Sequence, residues 1–218
     1  MRTLTTLGLI AAASVRLAAQ NTTAPIDRAV EAWSKVKTAR GTFDQTVTNP
    51  LTGTSANAHG RYAQERPNRL SIRFNQADSA AIVSDGRAVW IYLPSSAPGQ
   101  VIKRAATDRA AVPIDLTGQF LDAPRSKYAI TPAAARTIDG HAARGFTLVP
   151  KQGTSAPFTT ATVWIDDDDS LIREFEETEN SGVVRRIHLT SVELNAPIDA
   201  ATFKFTIPPG VKVVDQTR

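Results

Sequence analysis

The side chains that most often carry chemistry in proteins are few and widely separated in this sequence. His59, His141 and His188 lie far apart, without the spacing of metal ligands, and the chain contains no cysteine. The stretches "GTSAN" and "GTSAP" lack the final glycine of a nucleophilic serine elbow, and neither a phosphate-binding loop nor a dinucleotide fingerprint is present. We therefore predict no catalytic residue, no cofactor and no metal site, and we expect a binding protein rather than an enzyme.

Four consecutive aspartates, at positions 166–169, form a dense run of negative charge between two predicted strands. They lack the ligand spacing and the terminal glutamate of an EF-hand calcium loop. We interpret this run as a solvated turn.

The stretch "IVSDGRAVWIYLP", residues 82–94, predicts a hairpin with two apolar faces. Asp85-Gly86 is typical of a two-residue turn that joins antiparallel strands. An ordinary antiparallel sheet has one dry face and one wet face, so the second apolar face needs an explanation. Pairing about the turn places Ile82, Val89 and Ile91 on one face and Val83, Ala88, Trp90 and Tyr92 on the other.

The elements around this hairpin indicate one mainly β domain from residue 20 to residue 218. Apolar residues at helical spacing predict a helix over residues 24–39, with Trp33 in the core and Gly41 ending it. After Gly41 the period changes to two, and about eleven strands follow, mostly joined by short turns. Two largely apolar segments, residues 111–121 and 196–205, predict short helices that each begin near a "PID" sequence.

The pattern alone leaves two architectures open. A long curved sheet could enclose an apolar hollow that the short helices cover, as in a lipid-carrying half-barrel. A plain sandwich would instead use Trp90 and Tyr92 to fill its core.

The N-terminus predicts export. Residues 1–19 have a basic start at Arg2, an apolar run and the small-residue end "RLAA", which is the form of a signal peptide and too short for a membrane span. Position 20, where a bacterial lipoprotein signal has its acylated cysteine, is Gln20. We therefore expect a mature periplasmic protein without a lipid anchor.

The charge of the chain argues against nucleic acid as a partner. The net charge is +4, and without residues 1–19 it is +2, from 23 basic and 21 acidic residues. The charges are scattered and form no basic stripe with interleaved aromatics, so we expect no nucleic-acid binding.

Four segments in order resemble the periplasmic outer-membrane lipoprotein carrier family, the LolA type. They are "GTFDQTV" after the first helix, "YAQERPNRLSIRF", "IVSDGRAVWIYLP" and the terminal "DAATFKFTIPPGVKVVDQ". The resemblance spans nearly the whole mature chain. It implies a half-open antiparallel β-barrel of about eleven strands, with an N-terminal helix and a short-helix lid over an apolar cavity.

The resemblance also implies a function and partners. Such a carrier accepts acylated lipoproteins from an inner-membrane lipoprotein-releasing ABC transporter and passes them to an outer-membrane lipoprotein receptor, and we expect it to act as a monomer. The alternatives are a related periplasmic lipid- or glycolipid-binding protein, or a lipid-sensing stress regulator of the same fold. Gln20 argues against the outer-membrane receptor itself, because that role needs an anchor.

Two positions match residues of the family directly. Arg66 in "ERPNRL" matches the arginine that fastens the lid over the empty cavity, and Pro67 holds it extended beside the lid region. Leu70 matches an apolar residue at the cavity mouth, and a place in the sheet core is an equally open interpretation. The predicted acyl-chain cavity comprises Phe43, Ile72, Phe74, Trp90 and Tyr92, and the predicted lid comprises Ile114, Leu116, Phe120 and Leu121.

Overall fold

Twelve strands make up most of the part of the chain that the computed structural model describes, residues 23–75, 79–107 and 115–217. Signal residues 1–19 lie outside these ranges. The strands are β1 Thr38–Asn49, β2 Thr54–Glu65, β3 Arg69–Phe74, β4 Ala81–Asp85, β5 Ala88–Tyr92, β6 Gln100–Ala105, β7 Tyr128–Ile138, β8 His141–Pro150, β9 Phe158–Asp166, β10 Ile172–Glu179, β11 Val184–Leu194 and β12 Lys212–Gln216. The helices are α1 Ala24–Ser34, α2 Gly118–Leu121, α3 Pro124–Lys127 and a 3₁₀ turn, Ala200–Phe203.

All the strands belong to one open sheet in the order β12-β6-β5-β4-β3-β2-β1-β11-β10-β9-β8-β7. Neighbouring strands are antiparallel, except that β12 runs parallel to β6. Since β12 and β7 form the two ends of this order, the sheet is not closed. The expected half-open barrel is confirmed, with the eleven predicted strands and a twelfth that the sequence analysis missed.

Helix α1 is shorter than predicted. Pro25 lies in its first turn, and Ile26, Ala29 and Trp33 are buried, which confirms Trp33 as a core residue. The helix ends at Ser34, and Gly41 lies inside β1, so the prediction that Gly41 ends the helix was wrong.

The hairpin turn between β4 and β5 is longer than predicted. Ser84 pairs with Val89, which leaves four connecting residues instead of two. The Asp85 carboxylate accepts hydrogen bonds from the backbone N–H groups of Arg87 and Ala88, at 2.8 and 2.9 Å, and these bonds define the turn. Both turn lengths give the same alternation, so the predicted division of the hairpin into two faces is confirmed.

The two predicted short helices are also shorter than expected. The described part of the first begins at Gly118, and residues 111–114 lie outside the described residues. The second is a single 3₁₀ turn, Ala200–Phe203, in which the Asp199 side chain accepts a hydrogen bond from the Ala201 N–H.

The largest apolar cluster lies on one face of the sheet, which we call the inner face. It combines α1, α2 and side chains from β1–β3 and β7–β11. The opposite face, the outer face, is covered in part by the chain from residue 196 to residue 205, since the 3₁₀ turn packs against β3 and β4.

Candidate functional site

The phenylalanine of the lid helix α2 packs on the inner face. Phe120 is 1% exposed, and its ring lies 4.9 Å from that of Phe175 and 5.7 Å from that of Phe158, between ring centroids. Tyr128 packs on Phe158 at 5.7 Å and donates a hydrogen bond from its hydroxyl to the Gln119 carbonyl. The structure therefore has the lid closed on the sheet.

Three of the five predicted cavity residues share the inner face. Phe43, Ile72 and Phe74 belong to the cluster or pack against it, and the rings of Phe43 and Phe74 meet edge to face at 5.6 Å. Gly60 lies between them in the sheet, and a Cβ there would collide with the Phe43 ring and the Arg73 carbonyl. The glycine thus leaves room for one ring to lie across the sheet against the other.

Leu70 also lies on the inner face and is 1% exposed. Its burial fits the sheet-core interpretation of this residue. Its predicted role at the cavity mouth stays a prediction.

The prediction that Trp90 and Tyr92 line the same cavity is corrected by the strand register. Trp90 pairs with Val83, whereas Ile72 pairs with Ile82, so the two aromatic residues point to the outer face. There Phe205 stacks on Trp90 at 5.7 Å and lies 6.1 Å from Tyr92. This packing answers the question that the hairpin raised, because its second apolar face packs against the chain's own C-terminal segment, with Trp90 and Tyr92 left partly exposed.

Three further residues of the inner face, which the sequence did not single out, are isoleucines in register with Ile72. Ile82, Ile91 and Ile102 lie opposite one another on β4, β5 and β6, and all three are partly exposed. Together with Ile72 they form a row of branched aliphatic side chains, the isoleucine row, across four strands of the inner face. The alternation in the hairpin already separates Ile82 and Ile91 from Trp90 and Tyr92, but the predicted cavity contained the aromatic residues.

Arg66 lies beside the lid and is joined to Pro67 by a cis peptide bond. Its side chain contacts the end of α1 as well as the lid. Its Nη1 donates to the carbonyl oxygens of Trp33 and Val36, at 3.0 and 3.3 Å, just at and beyond the end of α1. Its Nε lies 4.0 Å from Oδ2 of Asp115, the residue three positions before α2. The resemblance implied contact with the lid, whereas the two hydrogen bonds of Arg66 go to the last turn of α1 and to the residue two positions after the helix.

Asp115 is the polar centre of this contact. Its carboxylate accepts hydrogen bonds from Trp33 Nε1 at 3.2 Å, Gln64 Nε2 at 3.1 Å and Gly118 N–H at 2.7 Å. Gln64 is 2% exposed, and its Oε1 accepts in return from the Leu116 N–H at 3.4 Å. Four parts of the chain (α1, β2, the arginine after β2 and the lid) therefore meet at one carboxylate.

The start of α2 is built around this carboxylate. A Cβ at Gly118 would collide with the Asp115 side chain, so glycine permits the carboxylate to fold back over the first turn. Leu116, Phe120 and Leu121 are buried, as expected for lid residues that face an apolar surface, and Ile114 lies outside the described residues.

An ion pair joins α3 to α1. Arg125 donates from Nε and Nη2 to the two carboxylate oxygens of Asp27, at 2.8 and 2.7 Å, and from Nη2 to the Thr23 hydroxyl at 2.8 Å. The hydrogen bonds and charge of Arg125 hold the pKa of Asp27 below its ordinary value. Because the pair is about half exposed, water screens it, and we expect only a small contribution to stability.

The aspartate run between β9 and β10 is not wholly the solvated turn that was predicted. Asp166 is 1% exposed and accepts from Arg173 Nε at 2.8 Å, and its Oδ2 lies 2.9 Å from His141 Nδ1. Burial acts to raise the pKa of Asp166, but the Asp168 N–H and the Arg173 guanidinium outweigh it and hold the pKa below its ordinary value. His141, Asp166 and Asp168 come close enough to share a cation, yet Arg173 already supplies the positive charge.

An open sheet with an apolar inner face, closed by a fastened helical lid, defines the class of half-barrel proteins that hold apolar ligands. The family model of the outer membrane lipoprotein carrier protein LolA matches residues 34–206. The chain belongs to the LolA family.

Relatives agree with this assignment. The outer-membrane lipoprotein carrier protein of Proteus mirabilis is 28% identical over 84% of this chain and 84% of its own length. That of Shewanella frigidimarina is 28% identical over 98% of this chain and 95% of its own length. Among solved structures, an uncharacterized conserved protein from Thermus thermophilus has the same fold, with a TM-score of 0.51 and 13% identity over 90% of this chain and 100% of that one.

In residues 23–75, 79–107 and 115–217, none of the helices has the length and hydropathy of a membrane span.

Proposed function

We propose that this protein is a periplasmic carrier of acylated lipoproteins. It takes them as they are released by an inner-membrane ABC transporter and hands them to an outer-membrane receptor. The observation that carries the proposal is the closed lid. Phe120 packs on the inner apolar face, and the Asp115 carboxylate joins the lid, through Gly118, to α1 and β2.

The energetics of acyl chains explain why such a carrier needs an apolar hollow. Burial of one methylene is worth about 0.8 kcal/mol, so one long acyl chain holds to a membrane by roughly 10 kcal/mol. A carrier must offer a comparable apolar surface and then give the chain up. The isoleucine row and the rings of Phe43 and Phe74 offer part of that surface, and Phe158 and Phe175, on which Phe120 packs when the lid is closed, offer more.

We also propose where the protein acts and in which oligomeric state. The signal form of residues 1–19, with Gln20 after the cleavage site, supports export as an unanchored chain, and we propose that the mature protein acts as a monomer. Binding and release, without covalent chemistry, are sufficient for this role.

The experiment is transfer of a labelled triacylated lipoprotein from inner-membrane vesicles that contain the transporter, through the purified protein, to vesicles that contain the receptor. We expect the label to leave the first membrane and reach the second only when the carrier is present. Mass spectrometry of lipids extracted from the purified protein separates the alternatives, because a glycolipid carrier or a lipid-sensing regulator would retain other lipids and would not support transfer.

A further inference from the structure

A buried glutamate lies on the inner face, on the same strand as the Phe175 ring that Phe120 covers. Glu177 follows Phe175 by two residues on β10, so both side chains point to the inner face. Its cross-strand neighbours are Ala161 on β9 and Arg185 on β11. Glu177 is 8% exposed, although Phe175 beside it belongs to the apolar cluster that Phe120 closes.

The nearby guanidinium is already engaged with other acceptors. Arg185 donates from Nε to Glu179 Oε1 at 3.1 Å and from Nη1 to Gln45 Oε1 at 3.0 Å. Its Nε lies 3.7 Å from Glu177 Oε1, beyond hydrogen-bond distance. The other oxygen of Glu177, Oε2, is buried and has no hydrogen-bond partner among the described residues.

A buried carboxyl oxygen without a hydrogen bond is costly to the closed protein and is available to a ligand. Burial raises the pKa of Glu177 to about 7; the charge of Arg185 opposes this rise, and that of Glu179 adds to it. Near neutral pH the group therefore exists in both forms, and its protonated form can donate as well as accept a hydrogen bond.

We propose that Glu177, together with Arg185, is a polar subsite of the hollow that hydrogen-bonds the ester and amide groups joining acyl chains to a lipid-modified peptide. An amide N–H of the ligand donates to Glu177, and an ester carbonyl accepts from the protonated Glu177 or from Arg185. The inference rests on the proposed function and adds a selectivity to it. The carboxyl groups of Glu177 and Glu179 outnumber the Arg185 guanidinium, so they disfavour a free fatty acid, whose own carboxylate is negative. The apolar surface holds any acyl chain, and this subsite selects the uncharged linkage.

The test uses two probes that compete with one fluorescent apolar dye at pH 7.5: a tripalmitoyl-S-glyceryl-cysteinyl peptide and palmitate. Glu177→Leu removes the polar group, and Glu177→Gln keeps one donor and one acceptor. Glu176→Gln is the matched control, because Glu176 is the next residue on the same strand, points to the outer face and pairs with Arg186. We expect Glu177→Leu to lose about tenfold in lipopeptide affinity, the worth of one good hydrogen bond, without weakening palmitate binding. Glu177→Gln and Glu176→Gln should stay within about threefold of wild type.

A second readout does not depend on the stability of Glu177→Leu. In the wild-type protein, the infrared carbonyl band of the protonated carboxyl should shift when the lipopeptide is added, and Glu177→Gln should lack that shift. Unchanged lipopeptide preference in Glu177→Leu, equal loss for both probes, or no band shift would overturn the subsite. Wild-type protein that binds neither probe would instead overturn the proposed function on which the subsite rests.

Discussion

Each face of the sheet carries apolar side chains that another part of the chain covers, and the two covers are attached in different ways. On the outer face, Phe203 is buried and Phe205 stacks on Trp90, and the same chain continues into β12, which pairs with β6 over five residues. On the inner face, the cover is two four-residue helices held by the Asp115 carboxylate and by the exposed pair of Arg125 and Asp27. We expect the attachment of each cover to distinguish a surface that opens to ligands from one that does not.

The outer cover should behave as part of the core. Phe203→Ala removes a side chain that is 2% exposed, and we expect a loss of about 3–5 kcal/mol in the free energy of unfolding. Denaturant titration measures this loss. Acyl-probe affinity should stay within about twofold of wild type in the folded variant, and an increase would mean that the outer face also opens to ligands.

Glu177 should make the stability of the protein depend on pH. Because its pKa is raised from 4.5 to about 7 in the folded state, the folded protein holds a proton that the unfolded chain has lost between these values. The free energy of unfolding should therefore fall as pH rises from 4.5 to 7, by on the order of 3 kcal/mol at most. Urea titrations of wild type and Glu177→Gln across this range isolate the effect of Glu177 from that of other groups. Parallel curves for the two proteins would show that Glu177 titrates normally.

Truncation of the phenylalanine in the inner cover should have a smaller effect on stability than Phe203→Ala has in the outer cover. Phe120→Ala removes a side chain that is 1% exposed, but the loss of global stability cannot exceed the free energy that holds the lid shut, because the open form does not contain these contacts. We expect less than half the loss seen for Phe203→Ala, together with about a tenfold gain in acyl-probe affinity. An equal loss of stability without a gain in affinity would make α2 an ordinary core element.

Arg66 should have the smallest effect, since its side chain is 38% exposed. Arg66→Leu removes two hydrogen bonds, to the carbonyl groups of Trp33 and Val36, and the contact with Asp115, and we expect acyl cargo to bind several-fold more tightly and to leave more slowly. Arg66→Lys keeps the charge without the fork of donors and should be intermediate. Loading and transfer of a labelled lipoprotein measure both changes, and unchanged transfer by Arg66→Leu would return Arg66 to an ordinary surface role.

Local pattern was sufficient to predict most of the fold. Period-two alternation identified β1–β11, and it placed Phe43, Ile72 and Phe74 on the face where the structure has them. The missing strand, β12, is short and pairs in parallel with β6, more than one hundred residues earlier. No local turn signals such a pairing.

The candidate site was harder to predict, because it depends on which cover meets which face. Alternation separated Ile82 and Ile91 from Trp90 and Tyr92, but only the position of Phe205 decides that the aromatic pair packs against the C-terminal segment. The resemblance to a family singled out Arg66, whereas Asp115 was missed. Two of its three hydrogen-bond donors, Trp33 and Gln64, are 82 and 51 residues away in the sequence, and no local pattern brings them to Asp115.

Amide hydrogen exchange in the intact, ligand-free protein tests most directly whether the two covers differ. Backbone amides of residues 116–122 should exchange through local opening, at rates that low denaturant does not change, whereas those of residues 201–204 should exchange only with global unfolding. Asp115→Asn should accelerate the first set by about tenfold and leave the second unchanged, because it removes the charge at which the lid is fastened. Equal protection of both segments in the wild type, or equal acceleration in Asp115→Asn, would contradict the claim that the inner cover is a lid.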